Sequence, residues 1–138
     1  MAAFSNYMED QITGWINGSA FASTLSGGTF VQLYTQDPTD AGSHTGAVYT
    51  RAQVAASGWT RGTGGAGTLT NTGVITITSS APSGATISHF AVFDVVTAGT
   101  GNMLFSGPLG SVGSPVTKVV ASGDEVKFNA SQLTLTVA

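Results

Sequence analysis

Asp37, Asp40 and His44 lie close in this sequence and could supply carboxylate and imidazole ligands to a divalent cation. Pro38 and Gly42 interleave them. Asp in such a stretch more commonly bonds to its own backbone and forms a turn. A calcium loop of the EF-hand kind would also need further carboxylates and a bidentate Glu at its end. The preferred reading is a solvated turn, and no residue is assigned as a metal ligand.

The other candidate chemistries fare no better. Gly62-Thr63-Gly64-Gly65-Ala66-Gly67 has the spacing of a dinucleotide fingerprint. That fingerprint works only where a helix N-terminus follows and aims backbone N–H groups at a pyrophosphate. Here Thr68-Leu69-Thr70-Asn71 follows, which is strand and turn. Ser, His and Asp are all present, yet no G-x-S-x-G elbow exposes a nucleophile, and His89 sits among apolar neighbours. Glycoside hydrolysis needs two carboxylates facing one another across a cleft. Glu9/Asp10 and Asp124/Glu125 are adjacent pairs, better read as partners of a helix start and as a turn. The expectation is a protein that is not an enzyme, with no catalytic residue and no cofactor.

The composition points to a mainly β protein. Charged residues make up 8% of the 138, against about 25% in ordinary domains, so the surface must be built from the 35 Ser and Thr and the 19 Gly. Thr suits strands and Gly suits tight turns. Four cations (Arg51, Arg61, Lys118 and Lys127) and a net charge of −3 give little purchase on phosphates, so nucleic acid is not expected as a partner. Weak charge also leaves little repulsion between copies, which fits a subunit that self-associates. There is no Cys, and no basic n-region opens the chain, so neither a disulfide nor a signal peptide is expected. No apolar run reaches the 18 or so residues of a membrane span, and no membrane partner is expected.

A single domain over residues 1–138 is predicted, with a helix within 1–18 and a β-sandwich, jelly-roll-like, over 29–138. Met8, Ile12, Trp15 and Ile16 recur at helical spacing between Asn6 and Asn17. Asn6 and Glu9 stand as a loose capping box, and Asn17-Gly18 as the stop. This stripe covers either the subunit's own sheet or a neighbouring subunit or shell. Its four residues are the candidate oligomer contact.

Thr86 to Val95 is the longest β-type run and is apolar on both faces, which predicts a central strand. Ile87, Ala91 and Phe93 should share one face, and Phe90 and Val92 the other. Thr29–Thr35 is predicted to be covered on both sides too. Ala47–Val54 is a further strand, Gly58–Gly67 a long loop, and Leu69 with Val74–Thr78 a hairpin around Asn71-Thr72-Gly73. The later strands are Met103–Ser106, Val116–Ala121, Glu125–Asn129 and the alternating Leu133, Leu135 and Val137. About eight or nine strands result.

Several segments carry a resemblance. They are Asn6-Tyr7-Met8-Glu9, Leu33-Tyr34-Thr35-Gln36-Asp37-Pro38-Thr39-Asp40-Ala41-Gly42, Tyr49-Thr50-Arg51, His89-Phe90-Ala91-Val92-Phe93-Asp94, Leu104-Phe105-Ser106-Gly107-Pro108-Leu109 and Gly123-Asp124-Glu125-Val126-Lys127-Phe128 with Leu133-Thr134-Leu135-Thr136. In order and spacing they resemble a family of small proteins encoded by tailed bacteriophages and commonly labelled tail fibre proteins.

The resemblance implies a structural virion component, assembled in the bacterial host cytoplasm, with no active site to carry over. The main expectation is a head decoration or cement protein, a homotrimer seated on the major capsid protein at a three-fold axis. A compact domain without a shaft suits such a capsid-surface role. The alternative is a tail or neck fibre component that recognises host-surface carbohydrate through Tyr49 and Trp59. Ser43–Tyr49 and Gly58–Gly67 depart from the family pattern and are the expected contact loops.

Overall fold

The computed structural model describes residues 3–22, 25, 27–63, 67–78, 84–111 and 114–137; the side chains of Tyr49 and Ser111 fall outside that description. The fold is mainly β and sandwich-like, with one α-helix among the described residues. Its strands are β1 (Ala3–Phe4), β2 (Thr29–Tyr34), β3 (Ala47–Val54), β4 (Trp59–Arg61), β5 (Thr68–Asn71), β6 (Ile75–Thr78) and β7 (Ala85–Ile87). They continue with β8 (His89–Phe93), β9 (Met103–Pro108), β10 (Gly110–Ser111), β11 (Ser114–Pro115), β12 (Lys118–Val120), β13 (Glu125–Phe128) and β14 (Thr134–Thr136). Helix α1 is Asn6–Ile16.

The larger sheet runs β1-β9-β8-β2-β3, antiparallel throughout, and β8 is its middle strand. Every residue of β2 is buried, which is what apolar side chains on both faces of a strand require. Val31, Leu33, Phe90, Val92 and Phe105 point into the sandwich, where they meet Ile77, Val120, Val126, Phe128, Leu133 and Leu135 from the opposing strands. Phe90 packs edge-on against Phe105, with centroids 6.4 Å apart and planes at 82°. On the other face Tyr34, Ala91, Phe93 and Met103 form a smaller cluster. The loop between β2 and β3 covers it: His44 stacks on Phe93, and a Cβ added to Gly42 would meet the Met103 Cβ at 3.2 Å.

The predicted central run divides in two. Ser88 donates its N–H to Tyr34 O at 2.9 Å and accepts the Leu109 N–H at 2.8 Å. Before it, Ile87 pairs with Lys118 of β12; after it, His89 pairs with Tyr34 of β2. The chain changes sheets at that residue, and the alternation of faces slips by one. Ile87 therefore joins Phe90 and Val92 in the main core rather than Ala91 and Phe93. Changes of this kind raise the number of strand segments to fourteen among the described residues.

The expected hairpin around Asn71 does not form, although both of its strands do. β5 pairs with β14 and β4, whereas β6 pairs with β13. The Asn71 side chain, fully buried, donates to Gly73 O at 2.7 Å and Asn129 O at 2.8 Å and accepts from Leu133 N at 2.9 Å. These bonds fasten the end of β5 to the 129–133 turn and send β6 elsewhere. The predicted Gly58–Gly67 loop is also interrupted, by β4.

Helix α1 is capped one residue earlier than predicted. Ser5, not Asn6, is the N-cap, and its Oγ accepts the Met8 N–H at 3.2 Å. Ser5 is almost wholly buried; its hydroxyl donates to Met103 O and its N–H to Leu104 O at 3.1 Å. The Asn6 N–H reaches Asp40 O at 2.8 Å. At the other end Gly18, at φ +88°, takes the left-handed conformation that closes a helix.

Candidate functional site

Helix α1 is rooted at its start and free at its end. Phe4, Tyr7 and Met8 pack against the main core, but no residue of the helix is buried. The predicted stripe therefore divides. Met8 and Ile12 are half-buried, whereas Trp15 and Ile16 stand 62% and 73% exposed. The following segment folds back along the helix: the Ala22 N–H donates to Gln11 Oε1 at 2.6 Å, and the Phe21 ring lies 6.4 Å from Trp15. Phe21 and Leu25 are both exposed, and Phe21 extends the apolar surface of Trp15. Sequence reasoning missed these two, whose only signal was two large apolar residues in a segment otherwise rich in Ala, Ser, Thr and Gly.

Leu25 also lines an apolar cleft of about 440 Å³ beside the helix, with Phe4, Met8, Trp59, Leu69 and Phe105. Trp59, one of the two aromatics assigned to receptor contact, is half-buried there. Its indole N–H donates to Thr29 Oγ1 at 2.9 Å, and its ring meets Phe105 edge-on at 5.9 Å. Tyr49, the other, lies on β3, and its side chain falls outside the described residues. The structure does not bring the two together as a described surface.

Asp37, Asp40 and His44 do not converge either. Asp37 accepts the Thr39 N–H at 2.8 Å in a local turn, and the Asp40 carbonyl holds the start of α1. His44 turns inward onto the Phe93 ring, 5.3 Å between centroids. Among the described residues no group of three His, Cys, Asp or Glu could hold a metal. His89 is half-buried with Nδ1 2.9 Å from Ser88 Oγ. No described helix is long and apolar enough to cross a membrane.

The outer face of the large sheet holds Arg51, Tyr34 and His44, whose ionisation is shifted by burial. Arg51 enters it from β3, 7% exposed, with its guanidinium carbon 3.7 Å from the Phe93 ring centre. Nε donates to Gln32 Oε1 at 3.2 Å, and Nη1 donates to Val95 O at 2.8 Å and Thr100 O at 3.0 Å. Burial lowers the Arg51 pKa, while Tyr34 and Asp94 act to raise it. Burial pushes the Tyr34 hydroxyl up to about 12, against a smaller lowering by Arg51. It lowers His44, and the Arg51 charge lowers it further.

The arrangement sets an interior clamp around Arg51 on one side and an exposed apolar helix end on the other. No curated protein matches the chain. A family model described as Podophage GP4 fiber I protein gp80 matches residues 3–136, nearly the whole sequence. The chain belongs to that family of bacteriophage fibre proteins and is a structural component of the virion.

Proposed function

We propose that the protein is a non-enzymatic fibre component of the phage tail or neck, which self-associates and meets other virion proteins through the free end of α1. The family match supports a fibre rather than the head decoration or cement role expected from the sequence. The observation that carries the contact surface is the exposure of Trp15 and Ile16, with the exposed Phe21 against Trp15. Large apolar side chains grouped on a surface mark interaction sites more often than isolated ones do, and aromatics anchor interfaces. The absence of catalysis rests on the missing nucleophile and cofactor signals in the sequence.

The trimer expectation came from the three-fold axes of an icosahedral shell. On a tail that argument has no force, so the proposal is a homo-oligomer whose subunit number is set by measurement. Assembly takes place in the host cytoplasm, where the rest of the virion is made.

Copy number per virion, from gel densitometry, tests the location. About a dozen copies or fewer are expected, as suits an appendage on a closed ring. Hundreds of copies would place the protein on the head and return the decoration reading. Incubation with host polysaccharide or peptidoglycan is expected to release no fragments. Cleavage abolished by changing a single carboxylate or His89 would overturn the non-enzymatic part.

A further inference from the structure

The cleft beside α1 lies between the two layers of the sandwich. Phe4 and Phe105 come to it from β1 and β9 of the large sheet, and Trp59, Leu69 and Leu135 from β4, β5 and β14. Among the described residues no charged side chain lines it. Its one hydroxyl, on Thr29, accepts the Trp59 indole N–H at 2.9 Å.

That chemistry selects the occupant. Pockets for small molecules hold their ligands with a few free polar groups aimed inward. Here the polar side chains satisfy one another, and what is left is apolar shape, which suits a large side chain of a protein. Each copy of the chain carries such a plug. Trp15 and Ile16 are 62% and 73% exposed at the free end of α1, and about 440 Å³ has room for an indole beside a branched aliphatic chain.

A subunit does not fill its own cleft. Met8, which lines the cleft, and Trp15 stand seven residues apart on one helix, on the same face but about 10 Å apart along the axis. Ser5 pins the start of this rod to the Met103 and Leu104 carbonyls, and Trp15 lies outside the cleft lining. A plug and a socket held apart on one body meet only between copies. Since the two surfaces differ, the contact is head-to-tail, the kind that closes into a ring when the rotation allows.

We propose that the Trp15–Ile16 end of one subunit fills the apolar cleft of the next copy, an inference that rests on self-association through this helix end.

Two variants, each disabled on one side, test it. Trp15→Ser with Ile16→Ser removes the plug. Ala56→Trp, at an exposed residue that lines the cleft, fills the socket. Each alone should be a monomer by light scattering. Mixed in equal amounts they should give a mass of two subunits and no more, because one plug and one socket remain between them. Full assembly of the plug variant would sink self-association through the helix end, and this inference with it. Full assembly of the socket variant beside a monomeric plug variant would leave self-association standing and overturn the inference alone. So would a mixture that stays monomeric, the result expected if helix ends meet each other or the cleft takes some other apolar guest. Ala56→Glu sets a charge at the same position and should behave as Ala56→Trp does, so it decides the matter should the bulkier variant fail to fold.

Discussion

Arg51 sits over Phe93, its guanidinium carbon 3.7 Å from the ring centre, and the same side chain bonds to three further residues in two other segments of the chain. It joins β3, β2 and the loop that follows β8. Arg51→Met keeps the stem but leaves the Val95 and Thr100 carbonyls without this partner. A loss of about 2–4 kcal/mol is expected from urea unfolding, made up of the hydrogen bonds and the cation–π contact. Arg51→Lys should recover less than half of it, because an ammonium cannot reproduce the fork. A loss below about 1 kcal/mol would show that the clamp is ornamental.

Phe93→Ala removes the surface on which Arg51 and His44 both rest. Phe93 is fully buried, so the variant should lose about 3–5 kcal/mol in the same assay.

Asn71→Ala should cost about 2–4 kcal/mol, because the Gly73 and Asn129 carbonyls and the Leu133 N–H all lose their side-chain partner. Hydrogen exchange should quicken most at Leu133 and in β14, and a uniform change across the chain would count against this account.

The Tyr34 hydroxyl has a pKa near 12 when folded and an ordinary value of 10 when unfolded. A raised folded pKa means that its contribution is complete below pH 10 and is lost as pH rises through about 12. Stability should therefore fall between those values more steeply in the natural protein than in Tyr34→Phe. Parallel curves would show that Tyr34 does not ionise differently in the two states.

Trp15→Ser combined with Ile16→Ser should leave monomer stability within about 0.5 kcal/mol, since both side chains are exposed. Light scattering should nevertheless show a smaller assembly. An unchanged mass would place the self-association surface elsewhere on the molecule.

Much of the architecture was legible in the sequence because it follows from burial. Phe30, Val31, Leu33 and Tyr34 announced a strand covered on both sides, and the His89–Phe93 run announced the middle of the sheet. The helix was readable from its period. What escaped was decided by single polar residues whose backbone or side chain bonds to partners far along the chain. Ser88 moves the chain between sheets, Asn71 diverts an apparent hairpin, and Ser5 caps the helix because Leu104 is there to hold it. Residue spacing carries no trace of partners 62 or 99 positions away. Arg51 was likewise read as one of four scattered cations, since nothing in Tyr49-Thr50-Arg51 shows that it points inward. Of the helix stripe, the period revealed which residues align but not which half would find a floor.

The anchoring of Ser5 to residues 103 and 104 orders events during synthesis. Helix α1 precedes β9 in the chain, so its seat there is made only after some hundred further residues have emerged. An 11-residue helix is marginal without that seat. Until β9 has emerged the Trp15 end therefore lacks a fixed orientation. The proposed joining of subunits through this end waits until β9 is in place.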